Sequence, residues 1–161
     1  MRQTLLTTLA ILFCVVSSFS HPPTAWNVIN HPNGFSIQLP SSFSSGLLVG
    51  DGTLQWFANS IDEEIEVTVE TVSNGAPGKL DEEFTTDQPV FTKVSYKVLK
   101  PTWYIISGES RQGISHTKTI MKDGVLHRLW ITYPAAQQST MDAWVPQIMS
   151  SFKVSSDDAR R

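Results

Sequence analysis

WYIISGESRQGISHTKTIMKDGVLHRLWITY, residues 103–133, reads as three strands joined by two tight bends. β-Branched and aromatic residues, which suit a pleated, half-buried surface, recur through Trp103 to Ser110, Ile114 to Met121 and Val125 to Tyr133. The breaks are Arg111-Gln112-Gly113 and Lys122-Asp123-Gly124. Asp123-Gly124 is the stronger signal, because a type I′ turn needs positive φ at both central positions. It pairs Lys122 with Val125, and so sets Ile120 opposite His127, Lys118 opposite Leu129 and His116 opposite Ile131. Taking Arg111-Gln112-Gly113 as a three-residue loop pairs Ser110 with Ile114, Gly108 with His116 and Ile106 with Lys118. With Thr92 to Leu99 ahead of it across Lys100-Pro101, the stretch is an antiparallel meander.

Downstream, Met141, Trp144, Val145, Ile148, Met149 and Phe152 recur at helical spacing behind Ser139/Thr140, predicting an amphipathic helix over 139–152 that Pro146 should kink. Upstream, Gly34 to Pro40 alternates apolar and polar residues and stops at proline, as a short strand does. A serine-rich, glycine-containing loop follows, and Leu54 to Ala58 is a further short strand. Glu64 to Ser73 is cleaner: Ile65, Val67, Val69 and Thr71 share one face, and the acids with Thr68 share the other, which reads as solvated. Lys79 to Thr86, after a glycine- and proline-rich break, has room for a short helix. Strands followed by one long helix make an α+β fold, an antiparallel β-sheet with helices packed on its faces and a C-terminal amphipathic helix.

Certain phrases carry a resemblance: Gly34-Phe-Ser-Ile-Gln-Leu-Pro40 after Trp26, the acidic strand, Trp103-Tyr-Ile-Ile-Ser-Gly108, Leu129-Trp-Ile-Thr-Tyr-Pro134 and Ile148-Met-Ser-Ser-Phe-Lys153. Together they look like the Mog/PsbP-like superfamily, including its bacterial DcrB-like secreted members, over most of residues 26 to 153. The resemblance implies a PsbP-like α/β/α sandwich in proteins that are mainly non-enzymatic accessory or binding modules. It brings no catalytic or ligand-binding motif that this chain matches.

The first twenty residues stand apart. Arg2, an apolar run from Leu5 to Val16 and the small-residue tail Ser17-Ser18-Phe19-Ser20 form a secretory signal peptide, cut before His21 or, as the alternative, after Ser18. Phe13 stands where a lipoprotein signal before Cys14 needs a small residue, so no acyl anchor is expected. No segment reaches the roughly 20 apolar residues of a transmembrane helix. The expected organisation is a signal peptide over 1–20, a single α+β domain over 21–154 and a frayed tail over 155–161, in the periplasm or outside the cell. Loss of the signal removes the one cysteine and Arg2, turning a net charge of −3 into −4. The mature chain then has no thiolate and no disulfide. Without a Lys/Arg run, nucleic acid and anionic membrane are not expected partners.

Three constellations invite chemistry. Ser110, between Gly108 and Gly113 with His116 beyond, resembles a hydrolase motif, but a nucleophile elbow needs Gly-x-Ser-x-Gly in a strand-to-helix turn. Here Gln112 holds the second glycine's place and a strand follows, so no catalytic residue is assigned. His116 and His127 lie four residues apart in register, on the order of 13 Å at about 3.3 Å per residue, too far to share a metal ion. His127, between Val125 and Leu129, reads as a core histidine and His116 as a surface one. His21, as a new amino terminus, would hold copper as a histidine brace only if a second histidine joined it, and nothing places His31, His116 or His127 there. No metal or cofactor is expected. The assumed register puts Trp103, Met121, Arg128 and Trp130 on one face as a candidate docking surface, unless a helix over 79–86 covers it. The expected function is therefore a non-catalytic module that docks a protein or envelope component. The alternatives are a small-ligand-binding protein or weak hydrolase and, more narrowly, a photosystem-associated extrinsic subunit.

Overall fold

The computed structural model describes residues 25–44, 46–47, 65–71 and 79–155, and the backbone of 48–49, 53–58 and 72–73. The expected signal peptide, His21 and the tail beyond Ser155 lie outside the described residues. Ser155 itself is anchored, its amide donating to the Gly34 carbonyl at 2.8 Å.

Among the described residues, two antiparallel sheets and two α-helices form the α+β fold. The large sheet holds seven strands: β3 (Leu47–Val49), β4 (Thr53–Ala58), β5 (Ile65–Ser73), β6 (Phe91–Lys100), β7 (Trp103–Ser110), β8 (Gly113–Lys122) and β9 (Val125–Tyr133). Their spatial order is β3-β4-β5-β9-β8-β7-β6. The small sheet places β2 (Phe35–Pro40) between β1 (Trp26–Asn30) and β10 (Lys153–Val154).

The two helices lie on opposite faces of the large sheet, because alternate strand residues point opposite ways. Helix α2 (Gln138–Ser151) buries Met141, Val145, Ile148 and Met149 against Val67, Val69, Leu129 and Ile131, with Phe35, Ile37 and Leu39 of β2 closing the same core. Helix α1 (Lys79–Asp87) sets Leu80 and Phe84 against Tyr104, Ile106, Leu126 and Trp130 on the other face. The predicted Ser139/Thr140 cap is not used. A short 3-10 turn, Ala135–Gln137, leads into α2 and Gln137 is the N-cap, without a side-chain capping bond.

The meander forms as its periodicity requires, and β8–β9 has the anticipated register, Lys122 opposite Val125 and His116 opposite Ile131. Asp123 and Gly124 have φ of 50° and 76°, the left-handed pair their turn demands. The β7–β8 register differs from expectation by one residue. Arg111-Gln112 is a two-residue loop and Ser110 pairs with Gly113, so Ser107 faces His116 and Ile105 faces Lys118. Gly113 belongs to the strand: its φ is 130°, and a Cβ there would meet the Tyr133 carbonyl oxygen at 2.3 Å. A slip of one residue moves a whole strand's side chains to the other face.

Candidate functional site

The slip divides the anticipated docking surface. Met121, Arg128 and Trp130 share the α1 face, whereas Trp103 points to the α2 face. Met121 and Trp130 are partly buried, packed against the Leu80–Phe91–Tyr104–Ile106–Leu126 core, and Trp130 stacks on Phe91 with ring centroids 6.0 Å apart. Arg128 reaches Glu70 of β5 at 2.6 Å and, on α1, Glu83 at 2.5 Å and Asp87 at 3.3 Å. Tyr104 also donates its hydroxyl proton to Asp87. Glu70 is therefore an ion-pair partner, in correction of the solvated reading of the acidic row. Burial raises the Asp87 pKa against the pull of Tyr104 and Arg128. Burial works against the Arg128 charge, but Asp87, Tyr104 and Glu70 outweigh it and raise its pKa. This cluster ties helix to sheet and leaves no open docking surface at Arg128.

Ser110 and His116 also lie on opposite faces, whereas the expected pairs, Ser110 with Ile114 and Gly108 with His116, would have put both on one face. Ser110 serves its turn, accepting from the Gln112 amide at 3.2 Å and lying 2.9 Å from the Ser115 hydroxyl. The serine beside His116 is Ser107, with Oγ 2.9 Å from Nδ1, and the Tyr133 hydroxyl lies 2.9 Å from Nε2. His116 is thus half-buried in a polar cluster and not a surface residue. Burial lowers its pKa, opposed by Asp142 of α2, and burial raises that of Tyr133 to about 12. The neutral imidazole hydrogen-bonds on both sides. Ser107 lies inside β7 between two paired strands, where main-chain amides serve the ladder and not a developing oxyanion.

His127 is 4% exposed on the α2 face, with Nδ1 3.3 Å from the Thr71 hydroxyl, as a core histidine should be. His31 stacks on Phe35 and its Nδ1 accepts from the Asn33 amide at 3.1 Å. Among the described residues no three His, Cys, Asp or Glu side chains gather as metal ligands, and no helix is long and apolar enough to cross a membrane.

Among the described residues, the most apolar of the open concavities lies on the α2 face. Helix α2 covers β9 and β5 but leaves β7 and β8 partly bare, so a groove of about 490 Å³ runs beside it. Trp103 and Ile105 of β7, Lys118 and Ile120 of β8, and Pro146 and Met149 of α2 line it. Beside the groove on the same face, Val98 of the edge strand β6 pairs with Ile105 and Lys100 with Trp103. Lys118 is the one charged group in the lining. Its Nζ donates to the Met149 carbonyl at 2.7 Å and the Phe152 carbonyl at 3.1 Å, which satisfies acceptors left over at the end of α2. Burial, and then Lys153, lower its pKa.

Of the four anticipated docking residues, only Trp103 reaches the groove. Lys118 was the available signal: its register partners Ile105 and Leu129 are apolar, an unusual row for a lysine.

No family model and no curated protein matches the chain. Among solved structures it is similar to the solution structure of cyanobacterial PsbP (CyanoP) from Synechocystis sp. PCC 6803. That likeness has a TM-score of 0.58 and 11% identity, over 81% of this chain and 92% of that one. A Bacteroides thetaiotaomicron VPI-5482 protein gives a TM-score of 0.49 at 10% identity, over 76% of this chain and 46% of that one. A Pseudomonas aeruginosa protein of unknown function, PA94, gives 0.43 at 7% identity, over 81% and 99%. The first of these shows a shared PsbP-like fold and nothing finer.

Proposed function

We propose that this chain is an exported, non-catalytic binding module whose working surface is the groove beside α2, where it receives an envelope component. One observation carries the reading: Trp103, Ile105 and Ile120 remain only partly covered around a concavity with a single cationic group. Sites that hold small molecules are mostly apolar clefts of about 300–1,000 Å³ with few, placed polar groups. The shared fold supports the architecture, and no partner is carried over from CyanoP. The test is retention of envelope components, in detergent-solubilised extract, by the immobilised chain. Ile105→Glu should abolish that retention and Val90→Glu, on the exposed turn before β6, should leave it intact. Equal retention by the two variants would sink the reading.

The Ser107–His116 contact favours a second reading, a weak hydrolase acting on whatever the groove holds. Its signature would be turnover of acyl esters by the intact chain that Ser107→Ala removes.

A further inference from the structure

We propose that the groove beside α2 holds a long-chain carboxylate, its hydrocarbon chain along Trp103, Ile105 and Ile120 and its head group on Lys118. The inference rests on the groove being the binding surface and names the chemistry of its occupant.

Charge complementarity is the main argument. An ammonium group has three N–H donors. Two of those on Lys118 go to the Met149 and Phe152 carbonyls, and the third has no partner among the described residues. Lys118 forms no ion pair among those residues either, although the Phe152 ring lies 6.0 Å from its Nζ. A charge in apolar surroundings is costly unless it is paired, and a carboxylate would give the Lys118 ammonium both an opposite charge and a hydrogen-bond acceptor. Lys153, which disfavours the Lys118 charge, adds to the positive potential at this end of α2. Lys100, at the β6 rim opposite Trp103, has the same sign and no ion-pair partner among the described residues.

The rest of the lining asks for hydrocarbon. Ile105 and Ile120 pack on the α2 core and continue it outward to Trp103, so a bound chain would extend an apolar layer already present. Lys118, the charged residue of the lining, offers one point of attachment for an anionic head. A folded protein partner fits less well, since stable protein interfaces bury about 800 Å² on each side. Strand addition at β6 is also discouraged, by the lysines at 93, 97 and 100 and two register irregularities.

The mature chain would be titrated with tetradecanoate below its micelle concentration, with the amide shifts of Ile105, Ile120 and Lys118 and the methyl shifts of the two isoleucines followed by NMR. Saturable one-to-one binding centred on these residues is expected. Tetradecanol and tetradecyltrimethylammonium should bind at least about tenfold more weakly, the loss expected for one charge-assisted hydrogen bond. Lys118→Met should weaken tetradecanoate by a similar factor and Lys118→Arg should keep most of the affinity. Should Lys118→Met fail to fold, the head-group series on the unaltered chain decides alone. Equal binding of alcohol and carboxylate, tighter binding of tetradecyl phosphate, or displacement by an acidic peptide alone would each overturn the carboxylate assignment. If no amphiphile binds while Ile105→Glu still abolishes retention of the envelope component, the ligand class falls and the groove reading stands. If Ile105→Glu retains that component, the groove reading itself falls.

Discussion

Arg128 has a side chain only 12% exposed and meets carboxylates from two elements, Glu70 on β5 and Glu83 and Asp87 on α1. Removing one partner from a buried ion pair strands the other charges, at a cost of about 3–5 kcal/mol. Arg128→Met should therefore lower the urea midpoint sharply. Arg128→Lys should restore little, because a compact ammonium cannot span three carboxylates as a planar guanidinium does. The histidines give a separate expectation. Burial lowers the folded-state pKa of both His116 and His127 below 6.5, so the unfolded chain binds more protons in the window beneath that value. Stability from the neutral imidazoles is complete above about 6.5 and is lost as pH falls through the depressed folded values. Urea midpoints measured between neutral and mildly acidic pH should fall with acidification. The drop should be smaller in the His116→Gln/His127→Gln double variant. Asp87, whose pKa burial raises, acts with the opposite sign in its own acidic range, so the comparison between variants isolates the histidines.

At the scale of elements, the two hairpins show what local sequence encodes. Asp123-Gly124 names its turn because few other residues tolerate two successive positive φ angles, and the β8–β9 register follows without tertiary information. Arg111-Gln112-Gly113 does not, because a glycine beside a turn can belong to the loop or to the strand. The close approach of the Tyr133 carbonyl, which assigns it to the strand, exists only once β9 is in place. That ambiguity carried Trp103 to the wrong face, and with it hid the groove and the Ser107–His116 contact. The bounds of β7 and β9 and the helical character of α2 were legible from periodicity, whereas for α1 the sequence offered only room for a short helix after a glycine- and proline-rich break. The β1–β2–β10 sheet was not, since β10 has two residues and β1 alternates little between buried and exposed positions. Gly113→Ala tests the account. Its Cβ would press on the carbonyl from a backbone that L-residues rarely adopt, and overpacking of this kind costs about 1–3 kcal/mol. Denaturation should show that loss, with faster amide exchange concentrated at the Ser110–Gly113 end of β7 and β8.

Considered as a whole molecule, the sandwich is unevenly covered. Helix α1 has nine residues and α2 fourteen, against a sheet of seven strands, so β6 at the sheet's edge stays largely bare. Tyr96 is 56% exposed there and Val94 and Leu99 are each 37% exposed, a long apolar edge of the kind that recruits a second chain. Three features oppose that pairing. Lys93, Lys97 and Lys100 place like charges along the strand, and irregularities between Phe91 and Lys93 and between Val94 and Tyr96 break its register. At Gly108, opposite Val94, a Cβ would meet the Lys93 carbonyl oxygen at 2.1 Å, so the irregular stretch of β6 sits close against β7 and relies on glycine there. The lysines are the removable part of this defence. Replacing Lys97 and Lys100 with threonine keeps strand propensity and deletes two charges from the edge, while Lys93 keeps its ion pair with Glu109. The double variant should remain folded by circular dichroism yet self-associate with rising concentration in sedimentation velocity, under conditions where the parent chain does not. Unchanged sedimentation would show that the irregular backbone alone protects the edge.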